Sequence, residues 1–164
     1  MAPRVMRRWP ASLFVALACC PAVAGAKGPG TVYKVPASIK GNCSVAVDAK
    51  ITAWLATVPD GSTVQFGAGR CYGQDGTITL TGRRRLVIDG QGSEFRALTP
   101  GASHRANWRF LGGSDLAVQN LAVRGSDPQG LYDPSVEWQH GFSVEGVQGL
   151  TLSNVQAQIG RAHV

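Results

Sequence analysis

No stretch of this chain approaches the roughly 20 consecutive apolar residues that a membrane-spanning helix requires. The apolar run from Leu13 to Cys20 stops far short, so no stable membrane span is expected. Cysteine is scarce, with four in 164 residues, and Cys19 and Cys20 lie in that same N-terminal run. A cysteine framework of the multi-bridge kind is therefore excluded, and one pair, Cys43 and Cys71, remains for the rest of the chain. A true excess of positive charge is also lacking. Setting aside Arg4, Arg7, Arg8 and Arg161 in the two ends leaves 12 basic residues against 10 acidic ones. The basic balance is thus mostly a property of the ends and gives no reason to expect nucleic acid as a partner. Helical periodicity is nearly absent as well: only one segment places apolar residues at helical spacing.

The ends have their own character. Arg4, Arg7 and Arg8, the apolar run and then Ala22-Val-Ala-Gly-Ala26 have the three-part form of a secretory signal peptide, expected over residues 1–26. Arg7-Arg8 leaves a twin-arginine route open, and Cys19 or Cys20 leaves lipidation open. In an oxidising compartment Cys43 and Cys71 are expected to pair, closing a loop of 28 residues and stabilising the fold by about 3 kcal/mol. At the other end, Ile159-Gly-Arg-Ala-His-Val164 breaks the preceding pattern. It back-translates to DNA resembling a sequencing adapter. Residues 159–164 are expected to be a non-native tail, and residues 27–158 the N-terminal part of a single longer domain.

What is abundant is repetition. Ile78 to Gly90, Trp108 to Asn120 and Phe142 to Asn154 align without a gap, with Gly82, Gly112 and Gly146 spaced by 30 and 34 residues. Four apolar columns accompany the glycines: Ile78, Trp108 and Phe142; Leu80, Phe110 and Val144; Leu86, Leu116 and Leu150; Ile88, Val118 and Leu152. Within a unit the apolar residues fall two apart, the period of a strand. Each unit ends on Gly90, Asn120 or Asn154, residue types that tolerate a left-handed backbone. A sandwich of antiparallel strands does not need one side chain to return every 30 or so residues, whereas stacked parallel coils do. Ahead of the repeats, Val47, Ile51, Trp54, Leu55 and Val58 predict one amphipathic helix, with Ser44 as its N-cap and Pro59-Asp60-Gly61 as its end. A strand over Thr63 to Phe66 and a turn over Gly67 to Arg70 follow. The helix is expected to cover the otherwise open first coil.

Val58-Pro-Asp-Gly-Ser-Thr-Val-Gln-Phe-Gly-Ala-Gly-Arg-Cys-Tyr72, then Gly76 to Leu80 and Leu86 to Phe95, resemble the entry into the right-handed parallel β-helix of the pectate-lyase-like superfamily. Trp108 through Gly112-Gly113 to Gln139-His-Gly-Phe142 is similar to secreted bacterial β-helix-repeat proteins. The resemblance spans roughly residues 45–157 and implies an all-β solenoid with an N-terminal capping α-helix. It also implies a secreted, extracellular or periplasmic protein acting on acidic or plant-type polysaccharide as a lyase, glycoside hydrolase or epimerase. The alternative is a non-enzymatic cell-surface β-helix that binds glycans. The full-length protein is expected to be monomeric.

Function in such a scaffold belongs to insertions between coils, and two stand out, Ala97 to Asn107 and Gly125 to His140. The second holds Asp127, Asp133, Glu137 and His140, flanked by Arg124 and Glu145. Glu137 and His140 are the candidate catalytic residues because they adjoin a recurring strand, and Arg124, Tyr132 and Trp138 are candidates for binding a sugar. Asp127 and Asp133 precede prolines and read as turn residues. Calcium is expected only if the reaction is a lyase elimination, and no ligand set for it is legible. The paired-aspartate strand and Gly-His-Gly turn of the superfamily's hydrolases do not occur, and neither does the clustered aspartate set of its lyases. Asp89-Gly90-Gln91-Gly92 reads as a structural turn, Trp108 as core, and Arg83-Arg84-Arg85 either as a charged turn that discourages edge pairing or as a polyanion contact.

Overall fold

The computed structural model describes residues 30–101, 104–126 and 139–159. Ten strands and one helix follow in the order β1 (Val32–Lys34), β2 (Asn42–Ala46), α1 (Asp48–Thr57), β3 (Thr63–Gln65), β4 (Cys71–Gln74), β5 (Ile78–Thr81), β6 (Val87–Ala97), β7 (Ala106–Leu111), β8 (Ser114–Arg124), β9 (His140–Glu145) and β10 (Gln148–Gln158). Among the described residues every strand pairing is parallel. The result is a parallel β-solenoid of about four turns.

Three faces make up the solenoid, A and B with five strand rows and C with three. Val32, Thr63, Val87, Ala117 and Thr151 run across face A. Asn42, Cys71, Glu94, Ala122 and Gln156 run across face B. Ile78, Trp108 and Phe142 run across face C. The long strands β6, β8 and β10 serve both A and B because each bends in its middle. In β8 and β10 the bend is a single left-handed residue, Asn120 (φ 55°) or Asn154 (φ 50°). The side chain of Asn154 donates to Asn120 at 3.0 Å and that of Asn120 to Asp89 at 3.1 Å, so the corner is tied from turn to turn.

The predicted register holds: Ile88, Val118 and Leu152 pair in sequence, and so do Leu80, Phe110 and Val144. One detail of the corner differs from expectation. In β6 the left-handed residues are Gln91 and Gly92, and Gly90 is not among them. The bend there is wider, with register passing from Asp89 opposite Gln119 to Ser93 opposite Leu121. Glycine is needed at position 90 for proximity instead: a Cβ would lie 2.4 Å from that of Leu121 and 2.6 Å from the Asn120 carbonyl oxygen.

The interior is aromatic. Phe66, Tyr72, Phe95, Trp108 and Phe110 are all buried, with Tyr72 and Phe95 stacked at 5.3 Å and Phe95 meeting Trp108 edge-on at 4.9 Å. Such pairs add about 0.5–1.5 kcal/mol each beyond area burial. Trp108 is therefore core, as its column predicts.

The helix presents Ile51 and Leu55 to this core and lies against β5. Thr52 Oγ1 accepts the Thr79 amide at 3.2 Å, and Asp48 Oδ1 accepts that of Asp75 at 3.1 Å. Ser44 is not the N-cap. It sits within β2, and Val47 occupies the cap position with no side-chain bond to the helix. Pairing of residues 42–46 with β4 claims the backbone that an earlier helix start would need. The Cys43–Cys71 disulfide crosses that pairing.

Arg83 closes the other end of the helix. Its Nη1 donates to the Leu55 carbonyl at 2.6 Å, its Nη2 to the Val58 carbonyl, and its Nε to Asp60 at 2.8 Å. Among the three arginines of that turn, Arg83 thus belongs to the scaffold, where its positive charge meets the negative end of the helix dipole.

A loop-bearing corner as the candidate functional site

Variation between turns is concentrated at one corner. From face C to face A the chain passes through short links, 82–86, 112–113 and 146–147, and from A to B through the bends. From B to C the link lengthens from 75–77 to 98–105 to 125–139. Both insertions marked out by the sequence therefore emerge from one corner on successive turns. They also meet: the Gln139 side chain donates to the Pro100 carbonyl, and the His140 amide donates to the Arg105 carbonyl at 2.9 Å.

A polar base lies at this corner. Gln74 and Asn107 are buried and bond to each other, Nε2 of Gln74 to the Asn107 carbonyl at 3.0 Å and Nδ2 of Asn107 to Gln74 Oε1 at 2.8 Å. Arg105 is also buried, with Nη1 donating to the Asp75 carbonyl at 3.2 Å and Nη2 without a partner among the described residues. Burial lowers the Arg105 pKa, against the opposing pull of Asp75 and Asp48. Thr99 donates to Asp75 Oδ1 at 3.0 Å. Sequence reasoning missed Arg105 and Asp75, because loop residues carry no periodicity to say which of them turns inward.

Face C borders the corner on one side. Its outer surface carries Thr79, Arg109 and Ser143 in one register row and Thr81, Leu111 and Glu145 in the next. Arg109 and Glu145 approach to 3.6 Å as an exposed pair. A groove of roughly 320 Å³ runs between α1 and β5, lined by Thr52, Leu55, Thr79, Leu80, Thr81 and Arg83.

Of the predicted site residues, Glu137, Tyr132 and Trp138 lie outside the described residues, as do Asp127 and Asp133. His140 opens β9 at the corner, exposed and paired through its backbone with Ala106 and Arg105. Arg124 ends β8 on face B, donating through Nε to Glu94 at 2.7 Å and through Nη1 to Gln158 at 2.8 Å. The fold thus sets His140 and Arg124 at the two ends of the 125–139 insertion.

Asp89 is committed to the scaffold. Burial works to raise its pKa, but hydrogen bonds from Asn120, from the Gln91 amide and side chain and from Gln119 outweigh it and hold the carboxyl below its ordinary value. Calcium finds no ligand set among the described residues, where no three metal-ligating side chains converge. Of the carboxylates at the corner, Asp48 is engaged by the Asp75 amide and Asp75 by Thr99. Comparison with protein-family models, curated proteins and solved structures finds no match for this chain.

Proposed function

We propose that this is a secreted carbohydrate-active protein built as a right-handed β-helix of the pectate-lyase-like superfamily, with α1 as its N-terminal cap and acidic or plant-type polysaccharide as its substrate. The observation that carries the reading is the convergence of the 98–105 and 125–139 insertions on one corner beside the polar outer surface of face C. A polymer lying along that surface would cross successive strands about 4.8 Å apart, between threonine and serine hydroxyls and the Arg109 guanidinium. On this reading His140, exposed at the rim, would exchange a proton with a bound sugar, and lysis, hydrolysis and epimerisation all need such a group.

A second reading, a non-enzymatic glycan binder at the cell surface, is favoured by the engagement of Asp48 and Asp75 with protein groups. One experiment separates the two. Binding of oligogalacturonate, oligoalginate and neutral oligosaccharides is measured by calorimetry, and the same mixtures are followed for new reducing ends, unsaturated products and epimerised residues. Binding with conversion supports the enzyme, binding without it supports the binder, and no binding to any glycan overturns both.

A further inference from the structure

Arg96 and Arg124 are register partners on adjacent strands of face B. Two like charges directly opposite each other in a sheet are unfavourable unless something neutralises them. Here one carboxylate serves both: Arg96 Nε donates to Glu94 Oε1 at 2.5 Å and Arg124 Nε to Glu94 Oε2 at 2.7 Å. Glu94 sits low between them, its side chain 20% exposed against 51% for Arg96 and 42% for Arg124. The only other described partner is neutral, Gln158, which takes Arg124 Nη1. Two guanidinium groups thus stand side by side over a single carboxylate. Their remaining nitrogens meet no acceptor among the described residues.

We propose that Arg96 and Arg124, aligned by Glu94, form a binding position for the carboxylate of an acidic sugar. Both arginines use Nε on Glu94, which fixes the plane of each fork and leaves terminal N–H groups for a second carboxylate. Such charge-assisted contacts are shorter and about twice as strong as neutral ones. Position supports the assignment as well. Arg96 is followed by one strand residue and then the 98–105 insertion, and Arg124 directly precedes 125–139. The pair therefore stands at the foot of both loops, on the opposite side of the corner from face C. The sugar rests on the carbohydrate reading above, whereas the anion position does not.

The test uses the full chain and its Arg96→Gln, Arg124→Gln and double variants. Arg96 is exposed and Arg124 half-buried with an exposed side-chain end, and thermal midpoints verify folding. Trigalacturonate, its methyl ester and a neutral trisaccharide are titrated by calorimetry, and acetate is titrated while the arginine side-chain N–H resonances are followed by NMR. Each single variant is expected to weaken trigalacturonate binding about tenfold or more, with the neutral sugar unaffected and the methyl ester bound by the parent as weakly as the acid is by the double variant. Equal trigalacturonate affinity in parent and double variant overturns the proposal and leaves the carbohydrate reading standing. If no glycan binds the parent, the carbohydrate reading fails and acetate decides. Saturable shifts at Arg96 and Arg124 then retain a site for small free carboxylates, and unmoved resonances eliminate it.

Discussion

The Nδ2 of Asn154 donates to the Oδ1 of Asn120 at 3.0 Å, one turn of the solenoid away. Both residues hold left-handed backbone at the corner between faces A and B, so each asparagine has two tasks, tolerating the bend and linking it to the next turn. Replacing Asn120 by Ala removes both. The expected loss is about 2 kcal/mol, combining roughly 1 kcal/mol of left-handed strain with about 1 kcal/mol for the hydrogen bonds. Asn120→Gly, which keeps the backbone freedom alone, should lose about half as much. Urea denaturation of the two variants separates the tasks, and equal losses would assign the whole effect to the side-chain ladder.

Leu116 and Leu150 pair in register, as their repeat column predicts, but their surroundings differ. Leu116 is buried, while Leu150 lies on β10 and is only partly covered. Leu116→Ala should cost about 2–5 kcal/mol, the range for a filled core site. Leu150→Ala should cost about 1 kcal/mol, since a partly exposed side chain forfeits only part of its transfer free energy. Equal losses, measured by denaturant titration, would place Leu150 in a fully packed interior.

These two leucines mark how far the fold could be read in advance. Side chains recurring at fixed spacing reveal which positions stack, so the apolar columns, the glycine turn and the disulfide were legible. Periodicity is silent about the depth at which a column is covered. It is also silent about competition for backbone: Ser44 has the right chemistry for an N-cap, yet residues 42–46 pair as a strand. Gly90 has the composition of a left-handed turn, yet is required because Leu121 crowds it. The candidate site was legible only as two long insertions. That they share a corner follows from the wrap of the chain, and that Arg96 stands beside Arg124 follows from a register shift at the β6 bend that the ungapped alignment did not contain.

Arg83 binds two carbonyls at the end of α1, so its geometry should matter more than its charge. The accompanying Asp60 is 39% exposed on its side chain and contributes little as an ion pair. Arg83→Ala should destabilise by about 2 kcal/mol, the scale of hydrogen bonds to a charged group. Arg83→Lys should recover less than half of that, because an ammonium cannot span both oxygens as a planar fork does. Full recovery by lysine, in thermal or urea unfolding, would show that the charge alone suffices at the helix terminus.

Asp89 gives the stability of the solenoid a pH dependence of definite sign. Its carboxyl is buried, which works to raise the pKa, but bonds from Asn120, Gln91 and Gln119 prevail and hold it below the ordinary value of 3.8. A carboxyl whose pKa is lower folded than unfolded binds protons more readily when unfolded. Its contribution is therefore complete above the unfolded pKa and is lost as pH falls through the folded one. Stability should accordingly decline below about pH 4, and Asp89→Asn should be less stable than the parent at neutral pH with a shallower acid decline. The substitution also replaces an acceptor of the Asn120 amide by a group that can donate, so the variant is compared with itself across pH. Unfolding free energies at pH 7, 5, 4 and 3 provide the test. Parallel acid declines in parent and variant would move the acid sensitivity to other carboxyls, with Asp60 next in line because Arg83 and Arg84 lower its pKa against the effect of burial.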